Sequence, residues 1–159
     1  MPHPHTMIRN PETPSHLHGL SSVAITCQLD VVGVTGIRPE RLIEVASRLL
    51  MAEGLAVNMG SESRLVISIA TELRPEHGQL VYGVVVALQD PAILKRHAAD
   101  GLECIVDSWR HQRATGVIFF PYTEAVVREA LGQEAMRQVL DFLQDWKGEN
   151  RPPAGPVLH

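Results

Sequence analysis

Three polar residues at even spacing are the first place to look for chemistry: Glu103, Asp107 and His111. On an extended strand, side chains at even intervals share one face, so the three would form a carboxylate–imidazole ridge able to hold a metal or relay a proton. The competing reading is a solvated sheet edge beside Arg110 and Arg113, which is where charged side chains usually lie. Four further histidines, His3, His5, His16 and His18, stand in the first eighteen residues as His-Pro-His and His-Leu-His. No cysteine or carboxylate cluster accompanies them at ligand spacing, and no metal or other cofactor is implied. The two cysteines, Cys27 and Cys104, are far apart and read as small core thiols, or as one disulfide in an oxidising compartment. Glu103 and apolar residues flank Cys104, which argues against a thiolate nucleophile. The chain contains no GxSxG, GxGxxG or phosphate-binding loop. The residues thus point away from catalysis, with an enzyme using Glu103, Asp107 and His111 kept as an alternative.

The elements that would position these residues centre on Arg64–Gln89. Leu65, Ile67, Ile69, Thr71 and Leu73 alternate with Val66, Ser68, Ala70 and Glu72, which predicts a strand with one apolar face. After a link containing Pro75 and Gly78, a second arm carries Tyr82, Val84, Val86 and Leu88 on one face and Val81, Val85 and Ala87 on the other. The two arms form an antiparallel hairpin, and Asp90-Pro91 ends or bulges the second one. Apolar residues on both faces predict that Val81 and Val85 need a cover from outside the helices, which makes them candidate binding residues with Trp109, Glu103, Asp107 and His111. Trp109, Tyr82 and Trp146 are the large amphipathic rings, suited to a helix–sheet interface or to a pocket wall.

Before the hairpin, Val23, Ile25, Cys27, Leu29 and Val31 alternate with polar or small residues and predict a strand. Pro39 to Glu53 then reads as a helix, with Pro39 in its first turn and Leu42, Val45, Ala46, Leu49 and Leu50 as its apolar stripe. Ala56–Met59 is a short extended piece. Later, Leu102–Gln112 fits a helical stripe and a strand equally in composition, with periodicity leaning to helix. Thr115-Gly116 reads as a turn before a short strand at Val117–Phe120. Thr123 to Lys147 is a second helix, with Val127, Leu131, Ala135, Val139, Phe142, Leu143 and Trp146 on its apolar side.

Length and composition fit one folded unit. The 159 residues are 45% hydrophobic and 20% charged, with a net charge of −4 that leaves no broad basic footprint for nucleic acid. No apolar run reaches the ~20 residues of a membrane-spanning helix. The organisation expected is a flexible Pro/His-rich arm at 1–18, a single α+β domain at 19–150 and a flexible tail at 151–159. The N-terminus carries no recognisable export signal, which predicts a cytoplasmic location. A trimmed mature form would instead be periplasmic.

In the first alternating strand, Gly54-Leu55-Ala56-Val57 after the first helix, Leu88-Gln89-Asp90-Pro91, Ser108-Trp109 and Val139-Leu140-Asp141-Phe142, the chain resembles a group of small uncharacterised bacterial proteins, many of them exported. Its arrangement is similar to that of periplasmic assembly and transport-auxiliary subunits. The resemblance spans roughly residues 20–150 and implies that 102–112 is a strand. It implies no chemistry at any position. The fold expected is an α+β two-layer sandwich, with two helices on one face of a mostly antiparallel sheet of four to five strands in β-α-β-β-β-α order. The function expected is a non-enzymatic binding or assembly module that pairs with itself or another protein through the sheet face or edge. A small-molecule carrier with a pocket between helices and sheet is the other alternative.

Overall fold

The structure, a computed structural model, describes residues 17–93, 100–101 and 103–151. The expectations for residues 1–16 and 152–159, including His3, His5 and His16, lie outside the described residues. The order of elements is β1 (Ser22–Asp30), α1 (Pro39–Ala52), β2 (Ala56–Val57), β3 (Arg64–Arg74), β4 (Gln79–Ile93), β5 (Glu103–Arg110), β6 (Ala114–Phe119) and α2 (Glu124–Glu149). A single 3₁₀ turn, Pro75–His77, with Gly78 in the left-handed region at φ 60°, links β3 to β4.

The sheet is mixed, which corrects the expectation of a mostly antiparallel one. β1 pairs in parallel with both β2 and β3, while β4 pairs antiparallel with β3, β5 and β6. The reason is α1. A helix between two strands carries the chain back to its starting end, so the next strands run parallel to β1. Six strands form the sheet in the order β2-β1-β3-β4-β5, with β6 also on β4. β5 and β6 share one edge of the long β4: β6 pairs with Gln79–Val84 and β5 with Ala87–Ile93. They act as one outer strand broken at residues 111–113.

One local reading left open is decided and two are revised. Residues 103–110 are a strand, as the resemblance implied and the helical spacing did not. Thr115 and Gly116 lie inside β6, and the turn falls at the break before it. β4 runs unbroken through Asp90-Pro91, because Pro91 lies beyond the last β3 partner, the Arg64–Gln89 pair, where a missing N–H costs little. The irregularity sits across the ladder instead. Leu88 pairs with Trp109 and Gln89 with Asp107, so Ser108 is an extra, unpaired residue. Its hydroxyl, like that of Ser63, donates to the Asp90 carboxylate.

One face of the sheet supplies the core. Val23 and Ile25 of β1, Leu65, Ile67 and Ile69 of β3, and Leu80, Val84, Val86 and Leu88 of β4 form one cluster with Ala46 and Leu50 of α1 and Val127, Leu131, Ala135, Val139, Phe142 and Leu143 of α2. Each fully buried aliphatic side chain contributes about 2 kcal/mol. The start of β1 is fastened to the end of α2: Trp146 Nε1 donates to Leu20 O at 2.8 Å, and Asn150 Nδ2 to Leu17 O at 2.8 Å. Leu17 is buried in the same cluster.

Candidate functional site

The Ser108 bulge decides where the candidate residues point. An extra residue reverses the alternation of faces, so Glu103, Ile105 and Asp107 lie on one face of β5 while Trp109 and the following His111 lie on the other. The ridge expected from Glu103, Asp107 and His111 therefore does not form. Asp107 accepts from Gln89 Nε2 at 3.3 Å and from Arg110 Nη1 at 3.1 Å on the face away from the helices, and Glu103 is exposed.

Trp109 and His111 are drawn under α2. Trp109 Nε1 donates to Asp145 Oδ2 at 2.9 Å, and the indole meets Phe142 edge-on at 5.1 Å between centroids. The His111 ring, 6% exposed, sets Nε2 2.8 Å from Asp141 Oδ2 and Nδ1 2.7 Å from Gln112 O. Asp141 and Asp145 are one helical turn apart, so two aromatic side chains from the end of the β5 segment dock on one stripe of the helix.

The same stripe carries Gln138, which the hydrophobic spacing alone does not reveal. Its amide is fully buried; Oε1 accepts the Val86 N–H at 2.8 Å and Nε2 donates to Val84 O at 3.0 Å. Those backbone groups lie where β4 passes from β6 to β5, so the glutamine fills the gap in the ladder. Beside it, Arg137 chelates Glu134 at 2.6 and 2.9 Å. The Arg137 hydrogen bonds hold the Glu134 carboxyl below its ordinary range against the opposing effect of burial, with a further contribution from Gln138.

The opposite face of the sheet has a different character. Val66, Val85 and Ala87 are buried yet stand outside the cluster made with the helices. Two arginines border them. Ala87 pairs with Arg110, and Arg113 lies over Gly83, with its Cδ 3.4 Å from where a Cβ would be. Val85 is 6% exposed and Val81 half-buried, so the two residues singled out from the hairpin offer little free surface. The accessible apolar groups are elsewhere on this face. Register places Phe119 and Val117 beside Gln79 and Val81 at one end, and Ile105 and Ile93 beside Pro91 and Glu103 at the other. Phe119 is 65% and Ile105 73% exposed. Hydropathy marked these residues as strand formers, but only the register shows them sharing one face of the sheet, bare of α1 and α2.

Two grooves border the helices. One, of about 380 Å³, lies between β6 and α2 and is lined by Tyr82, Ile118, Phe119, Tyr122, Val126 and Leu131. The other, of about 520 Å³, lies between α1 and α2. Cys27 and Cys104 are both free thiols. Burial, then the nearby Glu40 carboxylate, pushes the Cys27 thiol up to about 11. Among the described residues no group of three or more His, Cys, Asp and Glu side chains is placed to hold a metal ion, and no helix is long and apolar enough to cross a membrane.

No protein-family model and no curated protein matches the chain. Solved structures similar to it include a Xanthomonas campestris protein of the DUF330 family, at 14% identity over 88% of this chain and 92% of that one, with a TM-score of 0.45. A PelC dodecamer from Paraburkholderia phytofirmans matches at 15% identity over 74% of this chain and 87% of that one, TM-score 0.39. A Neisseria meningitidis lipoprotein matches at 12% identity over 76% and 99%, TM-score 0.38. These are bacterial proteins at low identity, of the kind the sequence resembles.

Proposed function

We propose that the chain is a non-enzymatic binding or assembly module that pairs with a second copy of itself through the bare face of its sheet. The folded unit that does this is the domain at 19–150. The observation that carries the reading is the register of the outer strand, which puts Phe119 and Val117 at one end of that face and Ile105 and Ile93 at the other. Two separated apolar ends suit a two-fold axis between them: Phe119 of each copy lies on Ile105 of its partner, reciprocally. Arg110, Asp107, Gln89 and Arg113 occupy the middle, where charges of both signs can pair across the axis. A face with apolar ends and a polar centre is suited to a protein partner.

The decisive measurement is mass by light scattering on the full chain, with Phe119→Glu and Ile105→Glu alongside. A dimer that each substitution converts to a folded monomer supports the reading. A monomer at micromolar concentration, or a dimer indifferent to both substitutions, removes it.

A further inference from the structure

The groove between the helices combines an apolar floor with an excess of positive charge. Leu42 and Val45 of α1, Met136 of α2 and Ile37 ahead of α1 provide the floor. Gly132 keeps it open: a Cβ there would already reach 3.8 Å from Leu42 Cδ2, so any larger side chain would fill the space. Three arginines stand at the rim, Arg38, Arg41 and Arg128, against one carboxylate, Glu129, which accepts from Gln133 Nε2 at 3.2 Å. Arg128 is engaged, donating to Thr35 O at 2.9 Å and lying 3.9 Å from Glu124. The side chains of Arg38 and Arg41 make no ion pair or hydrogen bond among the described residues. Two unpaired guanidiniums beside an apolar trough, on a chain whose net charge is −4, form a local site for an anion with a greasy body.

Groove length limits the size of that body. Its lining runs from Arg38 to Val45 on α1 and from Arg128 to Met136 on α2. At 1.5 Å per residue this is about 12 Å, which holds an alkyl chain of about eight to ten carbons. The volume of about 520 Å³ lies within the range of small-ligand sites. We infer that the groove between α1 and α2 binds a medium-chain carboxylic acid, its carboxylate between Arg38 and Arg41 and its chain along Leu42, Val45 and Met136.

Calorimetric titration of the full chain with octanoate, decanoate, dodecanoate and decanol tests this. Affinity is expected to rise about threefold per methylene from octanoate to decanoate and to level off at dodecanoate, where the chain outruns the groove. Decanol, lacking the charge, binds at least about tenfold more weakly, and Arg38→Ala/Arg41→Ala loses at least about tenfold for decanoate with an unchanged melting temperature. Both arginines are exposed, so that variant folds. No binding of decanoate at about 1 mM, equal binding of decanol, or indifference to the arginine pair each overturns the inference. The site lies among the helices, so this outcome is independent of the oligomeric state proposed above.

Discussion

The side chain of Gln138 completes the backbone ladder at Val86, its Oε1 taking the Val86 N–H at 2.8 Å in the gap between β5 and β6 along one edge of β4. With Nε2 on Val84 O, one amide replaces two strand hydrogen bonds, and it does so from a helix. β4 runs on as one strand past the break in its partner, and next to that break His111 and Trp109 dock on α2.

Replacing Gln138 with Leu keeps the volume and removes both bonds. The Val86 N–H and Val84 C=O are then left unmatched in a dry interface, at a cost of about 1–3 kcal/mol for each group. Urea denaturation should show a midpoint shift corresponding to at least ~2 kcal/mol with an unchanged slope. A variant as stable as the parent would mean that water reaches this part of β4.

Gly116 sits directly beneath the Tyr82 ring. A Cβ there would lie 2.3 Å from Tyr82 Oη and 2.4 Å from Cζ, closer than atoms pack. Gly116→Ala should therefore cost about 1–3 kcal/mol by displacing the ring. In a Tyr82→Ala background the same change should cost much less, so the double-mutant cycle is the measurement that ties the loss to this contact.

Glu134 ties part of the acid stability to one site. Its carboxyl is held below the ordinary value of 4.5, first by hydrogen bonds from Arg137. A lowered folded-state value means that the unfolded chain binds the proton more readily. The stabilisation is thus complete above about pH 4.5 and is lost as pH falls through the lower folded value. Glu134→Gln should reduce stability at pH 7 and flatten the acid limb of the stability–pH curve. A parallel downward shift at every pH would rule out this linkage.

Cys27 should be a poor nucleophile. With the thiol pushed from 9.0 to about 11, its thiolate fraction near pH 8 falls about 100-fold below that of an unperturbed thiol. Iodoacetamide alkylation of a Cys104→Ser variant, followed by mass spectrometry across pH 7–10, should be slow throughout this range. The raised value also means that this group favours folding below pH 9 and loses that contribution as pH rises towards 11. Rapid alkylation at pH 8 with the fold intact would contradict the burial.

Much of the fold was legible because its signals are local. Alternation marked β1 and both hairpin arms, and Leu42, Ala46 and Leu50 marked α1 by their helical spacing. Residues 103–110 were less legible, because cysteine, isoleucine, valine and tryptophan suit either period, and the packing of Trp109 on Phe142 settles the matter through a contact far away in sequence. The candidate site was legible in its residue types and not in its geometry. Glu103, Asp107 and His111 stand at spacing that puts them together on a regular strand, and one unpaired serine separates them.

The sequence by itself determined, residues 103–110 apart, which segments extend, which coil and which of their faces are apolar, since those depend on each residue's neighbours two to four positions away. Tertiary structure alone decided the direction of β1 against β3, the division of one β4 edge between β5 and β6, the burial of Gln138, and the bare face bearing Phe119 and Ile105. Each of these depends on strand register or on helix docking, where a shift of one residue exchanges inside for outside. Such choices are made by contacts across the fold, which local spacing does not encode.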